Sequence, residues 1–297
     1  MLAFGTAIFV LVVGLLFAAL LRQRRGTSAT APDSSGGDTG RRWPIWGGIA
    51  LPLVILAIVF GHSIYTLAAV QFQPGQPTPQ IKVIARRWWW QVEYPDKSVT
   101  TANEIHIPVG TPVQIELQSA DVIHSFWVPE LHGKMDAIPT RINTITLQAD
   151  QPGVYRGECA EYCGLQHAHM DFMVVAESND DYNAWIAAQQ QPAATPSDPT
   201  AQQGQQVFIS AGCLFCHRVL GQAEDKTIDR SYIDLGPDLT HVSSRLTIAG
   251  GSRTQNQGNM AGWLVDAQHV KPGNLMPNVR LSSQDLQALL AYIATLK

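Results

Sequence analysis

The stretch IKVIARRWWWQVEY, residues 81–94, is a run of β-branched and aromatic residues that stops at Pro95, and it marks the middle of the chain as strand-forming. Six runs of the same kind follow before residue 178: EIHIPVG, TPVQIELQS, HSFWVPE, RINTITLQ, GVYRGEC and MDFMVVAE. Many short strands broken by turn residues predict an all-β sandwich or barrel over residues 80–177. Residues 180–190 read as a short closing helix. The segment after it, QQQPAATPSDPTAQQG, has the Pro, Ala and Gln composition of a semi-extended linker without a core of its own, which puts a domain boundary near residue 200. Helical stretches are then predicted at 202–211, 258–268 and 282–296. The last opens on SSQD, a hydroxyl at the N-cap with an acid near N3. A small all-α domain results.

Upstream of the strands the chain changes solvent. Of its 297 residues 45% are apolar, and two long runs carry no Lys, Arg, Asp or Glu: residues 2–21, and residues 45–70, where His62 and Tyr65 are the ionisable side chains. Each is long enough at 1.5 Å per residue to cross a hydrocarbon core of about 30 Å. A cleaved signal carries its positive charges ahead of the apolar stretch; here the arginines follow it, which predicts a retained helix. Residues 22–42 hold five arginines against two aspartates in a Gly- and Ser-rich context, so this loop is expected to be disordered and cytoplasmic. Trp43, Trp46 and Tyr65 are expected at the membrane interface, with His62 interfacial or packed. The expected protein is a two-pass resident of the bacterial inner membrane with everything from residue 71 on the periplasmic or outer face. The domains expected are residues 1–70 (two membrane helices), 71–190, a linker at 191–201, and 202–297. Their net charges are +3 for residues 1–70, −8 for 71–201 and +1 for 202–297, and no nucleic-acid partner is expected.

Four cysteines remain to be explained. In an exported segment a disulfide is the default, but neither pair reads as one. Cys213 and Cys216 lie in CLFCH, the spacing at which two thiols bond covalently to haem and the next residue, His217, ligates its iron. A zinc site would need further Cys or His ligands in suitable spacing. A soft sixth ligand is expected from Met276, in NLMPNV before the last helix; Met260 falls inside a helical stretch and reads as packing. LGPDL, residues 235–239, resembles the proline turn of class I c-type cytochromes, and the resemblance gives Pro237 the role of holding the His217 ring through its carbonyl.

The other pair lies in YRGECAEYCGLQHAHM, residues 155–170. Cys159 and Cys163 are followed by His167 and Met170, and thiolate, imidazole and thioether together select copper. A mononuclear blue-copper site uses one cysteine, so this loop has one to spare. Two thiolates can bridge two copper ions, each completed by one histidine and one weak ligand. His124, at a strand end in DVIHSFWVPE, is the candidate for the second imidazole.

That loop, with RWWWQVEY and two membrane helices before it, resembles subunit II of the haem–copper cytochrome c oxidases over residues 1–190. The appended CLFCH domain resembles the caa type, in which a cytochrome c is fused to that subunit. The resemblance implies a cupredoxin-like domain whose dinuclear copper is held by His124, Cys159, Cys163, His167, Met170 and the backbone carbonyl of Glu161. It also implies a magnesium ion reached by the Glu161 side chain at the interface with subunit I, and Trp88 as the residue through which electrons come in. Where the family usually has Trp-Tyr-Trp this chain has Trp88-Trp89-Trp90. His169 and Met173 match no family ligand.

Neither centre offers an obvious open coordination position, so both read as relays, with no catalytic residue expected in this chain. The expected function is electron transfer from cytochrome c or another donor through haem c and copper to subunit I, which reduces oxygen and moves protons among further oxidase subunits. The alternatives are the electron-transfer subunit of a copper-bearing nitric oxide reductase, and a free-standing membrane-tethered electron carrier or copper-delivery protein. A quinol oxidase subunit II lacks the copper ligands present here. The acidic middle domain and a basic patch at Lys271 and Arg280, beside Met276, are expected to guide weak contact between a tethered haem domain and the copper domain.

Overall fold

The computed structural model describes residues 2–25, 42, 45–70, 80–221 and 235–297, and the chain divides into two compact units, residues 1–71 and 72–297. The cytoplasmic loop expected at 22–42 and the aromatic Trp43 lie almost wholly outside the described residues.

The first unit consists of α1 (Leu2–Arg25) and α2 (Leu51–Val70), the latter preceded by a π-helical turn at Trp46–Ala50. Segments Gly5–Arg22 and Trp46–Ala68 are long and apolar enough to span a bilayer, and their apolar side chains face outward. Within α2, Ser63 and Thr66 turn their hydroxyls onto the carbonyls of Val59 and His62, which removes two polar groups from an apolar surface.

In the second unit ten strands form two five-stranded sheets. One has the order β3 (Val99–Ala102), β2 (Trp89–Tyr94), β1 (Gln80–Arg86), β5 (Val113–Ser119), β8 (Asn143–Leu147). The other runs β4 (Glu104–Pro108), β10 (Asp171–Glu177), β9 (Gly153–Cys159), β6 (His124–Trp127), β7 (Met135–Ala137). Strand β5 shows why they face each other: Val113, Ile115 and Leu117 are buried while Gln114, Glu116 and Gln118 are not, the two-residue period of a strand with one face in a core. Phe172, Val174 and Ala176 of β10 do the same from the opposite sheet. Trp90 fills the space between, its ring meeting Phe126 and Phe172 edge-on at 5.8 and 5.3 Å. Strands β1 and β5, and β4 and β10, pair in parallel, so the expected sandwich is found with crossed-over connections. The closing helix α3 (Asn179–Gln189) follows β10, capped by Ser178, which accepts from Asp181 N.

The helical domain is built on α4 (Pro199–Ser210) against α7 (Ser283–Ile293), with α5 (Gln257–Val265) and the short α6 (Ala267–Val270) between them and a two-residue hairpin, β11 (Thr247–Ile248) with β12 (Arg253–Thr254). Phe208 and Tyr292 meet at 5.4 Å in its core. Helix α7 begins as its sequence predicts, with Ser282 accepting from Asp285 N. Helix α4 begins three residues before the expected Gln202, because Asp198 caps it by accepting from Ala201 N and Pro199 suits its first position.

The segment between the domains departs from the expected coil. Ala193 is buried and its N–H donates to Leu220 O, while the His241 ring sits between Gln191 O and Lys297 O. Composition gave it no core of its own, and it uses the core of the helical domain instead.

Candidate metal centre and the neighbouring cavity

Strand β6 delivers His124 and strand β9 delivers Cys159 side by side, and the loop from 160 to 170 folds back over them before β10 begins. Cys159 Sγ lies 3.9 Å from Cys163 Sγ and 3.9 Å from His124 Nδ1. Cys163 Sγ lies 3.8 Å from His167 Nδ1 and 3.9 Å from Met170 Sδ, and the Glu161 carbonyl is 3.2 Å from Cys159 Sγ. All six donors named from the sequence therefore converge. The sulfurs stand too far apart for a disulfide, whose bond is about 2.05 Å. Each thiol has its own imidazole, one from a strand and one from the loop.

The protons of the thiol pair behave unequally. Cys159 is held far below the ordinary thiol range, first because Cys163 donates to it and then because His124 and backbone groups add to that, against the cost of burial. Cys163 is pushed up by the same hydrogen bond, by burial and by the neighbouring anion. Releasing both protons sets two negative charges 3.9 Å apart, which needs cationic charge between them. A pair of copper ions meets that need, and the soft donor set fits them.

A residue not singled out in the sequence fixes His124. Asp121 Oδ1 accepts from His124 Nε2 at 2.8 Å, so Nδ1, which faces Cys159, is the nitrogen that can bind a metal once its proton is given up. Burial raises the Asp121 pKa, but hydrogen bonds from His124, Val122 N and Arg87 N outweigh it and the net shift is downward. The signal was in DVIH, an acid three residues before a ligand. Two indoles anchor the loop: Trp88 Nε1 donates to Cys163 O at 3.0 Å and Trp90 Nε1 to Met170 O at 3.3 Å. His169 turns to Gln166 Oε1 at 3.0 Å, and Met173 is a half-buried strand residue.

Next to this loop is a mainly apolar cavity with about 1450 Å³ of empty space, part of it open to solvent. Cys213, Cys216, His217, Pro237 and Met276 all line it, as does Met260. His217 Nδ1 donates to Pro237 O at 2.7 Å, so Nε2 is the nitrogen left for iron. Burial lowers the pKa of His217 and keeps the ring neutral, the form that binds a metal. Gly236 lies against that ring; any Cβ there would overlap it. Burial pushes the Cys213 thiol up to about 11. Met276 is held in an irregular loop, its N–H donating to Asn274 Oδ1 and its carbonyl accepting from Gln268, whereas Met260 is 6% exposed on α5 and packed in the core. Arg245, missed in the sequence, is a buried cation in the same wall, with Nη2 on Asp238 O and Nε without a partner. An acidic substituent such as a haem propionate suits it. The cavity accepts a haem: two thiols, an imidazole, a thioether and a cation converge on apolar space.

The cavity belongs to both domains. Arg87, Trp88, Trp89 and Asn103 of the β-domain line it together with the helical residues. This overturns the expected surface patch: Arg280 is exposed, but Lys271 is 2% exposed and sealed in the seam between the domains.

Comparison with known proteins gives two family matches: "Cytochrome C oxidase subunit II, periplasmic domain" over residues 97–177 and "Cytochrome c" over residues 201–297. Among curated relatives, cytochrome c oxidase subunit 2 of Alkalihalophilus pseudofirmus is 35% identical over 292 residues, 97% of this chain and 82% of that one. The subunit 2 of Bacillus sp. strain PS3 is 32% identical over 294 residues, 93% of this chain and 80% of that one. The solved periplasmic domain of the Bradyrhizobium japonicum subunit II is 27% identical and covers 40% of this chain and 97% of its own, with a TM-score of 0.38.

Proposed function

Because this chain belongs to the cytochrome c oxidase subunit 2 family and carries a cytochrome c domain after the copper domain, we propose that it is the electron-input subunit of a haem–copper terminal oxidase, receiving electrons from a cytochrome c or another respiratory donor and passing them to subunit I for reduction of oxygen and proton translocation. A haem bound through Cys213, Cys216, His217 and Met276 and a dinuclear copper held by the 124–170 donor set would each exchange one electron with little change in ligand geometry.

The observation that carries this reading is the position of Trp88, which lines the haem cavity and hydrogen-bonds the backbone of the copper loop at Cys163 with its indole N–H. The chain's own residues supply the rest. Asp121 sets the nitrogen that His124 presents, Pro237 sets the nitrogen that His217 presents, and Trp88 and Trp90 fix the loop backbone. The magnesium ion implied at Glu161 lacks such support: among the described residues the clustered donors are His124, Cys159 and Cys163, and Glu161 is not one of them. No role is assigned to it.

The two apolar helices anchor the protein in the membrane. Five arginines in residues 22–42 support a cytoplasmic loop, with both soluble domains on the periplasmic or outer face. Protease added to cells stripped of their outer barrier should then release the haem domain; its protection would overturn the sidedness.

The test of the function is metal content and turnover. The purified complex should hold two coppers and one covalent haem in this subunit. Cys159→Ser should abolish the mixed-valence copper spectrum and leave the haem spectrum intact. Turnover with oxygen supports the oxidase reading. Turnover with nitric oxide in its place, or purification with no partner subunit, would sink it.

A further inference from the structure

Lys271 follows α6 in the helical domain and sends its amine into the seam with the β-domain. The three N–H groups of an ammonium meet three carbonyls: Trp88 O at 2.6 Å, His169 O at 2.7 Å and Ala249 O at 3.1 Å. Two of these acceptors belong to the β-domain, one of them on the residue that joins the cavity to the copper loop. Among the described residues Lys271 makes no ion pair, so its direct partners are carbonyl dipoles, with the Asp171 carboxylate acting from further off. The turn around it is shaped to admit the amine. Gly250 has φ +62°, and a Cβ there would run into both Lys271 Nζ and Trp88 O.

Further bonds cross the same seam. Leu246 N donates to Glu104 Oε2 at 2.8 Å, and buried Glu104 is itself fixed by His106 Nε2 at 3.0 Å. Asp171 N donates to Gly250 O at 3.0 Å, and Gln166 Nε2 donates to Pro272 O at 2.8 Å. Each of these bonds ends on a backbone group, and the one from Asp171 N to Gly250 O does so at both ends, which defines one register, unlike the mobile side-chain pairs of a transient contact.

We propose that Lys271 is a positioning residue that locks the haem domain onto the copper domain in a single register, so that the wall Trp88 contributes to the cavity is permanent. The purpose given to the lock rests on the relay reading above; the lock itself does not.

Amide hydrogen exchange in the purified complex tests it, read at Leu246 and Asp171, the two amides donated across the seam. Lys271→Met keeps the length of the side chain and removes its three donors, orphaning Trp88 O. Exchange at both amides should rise by about tenfold, the effect of one buried carbonyl left without a partner, while the core amides of β5 stay protected and the haem and copper spectra are unchanged. Haem-to-copper transfer after a light flash should slow and acquire a dependence on salt that the parent lacks. Exchange within about twofold of the parent, with both spectra intact, would overturn the lock. Should the variant fail to retain its cofactors, the parent protein decides: protection of Leu246 and Asp171 that matches the β5 core and is indifferent to salt supports the lock, and loop-like protection that falls with salt overturns it. Faster exchange in Lys271→Met with no haem-to-copper transfer even in the parent would leave the lock standing and remove the relay reading.

Discussion

The indole N–H of Trp88 donates to the carbonyl of Cys163 at 3.0 Å while the same residue walls the cavity that holds His217. One residue thus meets both sites, 75 residues from its acceptor along the chain. Trp88→Phe removes the N–H and part of the wall. Haem-to-copper electron transfer should fall about ten- to hundredfold, the range that loosening a positioned group brings, with both absorption spectra retained. An unchanged flash-photolysis rate would remove Trp88 from the path.

Asp121→Ala should free the His124 ring to choose either nitrogen. Loss of an outer hydrogen bond of this kind lowers metal affinity about ten- to hundredfold. Copper retained against a chelator measures it, and Asp121→Asn, which keeps an acceptor oxygen, should lie nearer the parent. Equal retention in Asp121→Ala would show that the bond to His124 does not tune the site.

Met276 and Met260 both reach the cavity but differ in setting. Met276→Ala should turn a low-spin haem high-spin or leave it with a foreign ligand, at little cost in folding. Met260→Ala should keep the low-spin spectrum and cost about 2–5 kcal/mol of stability, since Met260 is 6% exposed and packed on α5. The reverse pattern of spectra would exchange their roles.

The two haem-domain methionines could be ranked from sequence because the ranking is local: one sits in a proline-marked loop, the other in a helical period. The same holds for CLFCH and for the 159–170 loop, whose spacing is chemical and short-range. Asp121 was readable in principle, three residues from His124. Lys271, Glu104 and Arg245 were not, because what defines them lies elsewhere in the chain; Lys271 meets Trp88 across 183 residues. The linker misled for a related reason. Its composition offers no core of its own and is silent on whether a neighbouring core will take it in, as the helical domain takes Ala193.

Burial holds the folded-state pKa of Lys271 at about 7, well under the ordinary lysine value, with the Asp171 carboxylate and Cys163 acting in the opposite direction. Between about pH 7 and the unfolded value of about 10.4 the unfolded chain binds the extra proton and the folded chain gives it up, Lys271 keeping two of its three N–H donors, so this residue makes stability rise with pH, by at most about 1.4 kcal/mol per pH unit. Below pH 7 its contribution is flat. Denaturant unfolding of the parent and of Lys271→Met across this window should therefore show a difference that shifts in the parent's favour as pH rises. A difference constant with pH would mean that the amine is not desolvated as the seam implies.

The covered seam also bears on kinetics. On the proposed relay, a copper domain already packed against the chain's own haem domain would take electrons from it within one molecule, at a rate indifferent to dilution. Selection among donors would then fall to the haem domain, where Phe215 and Leu275 are exposed. A membrane organised this way can tolerate a scarce or loosely bound soluble carrier without starving the step beyond it.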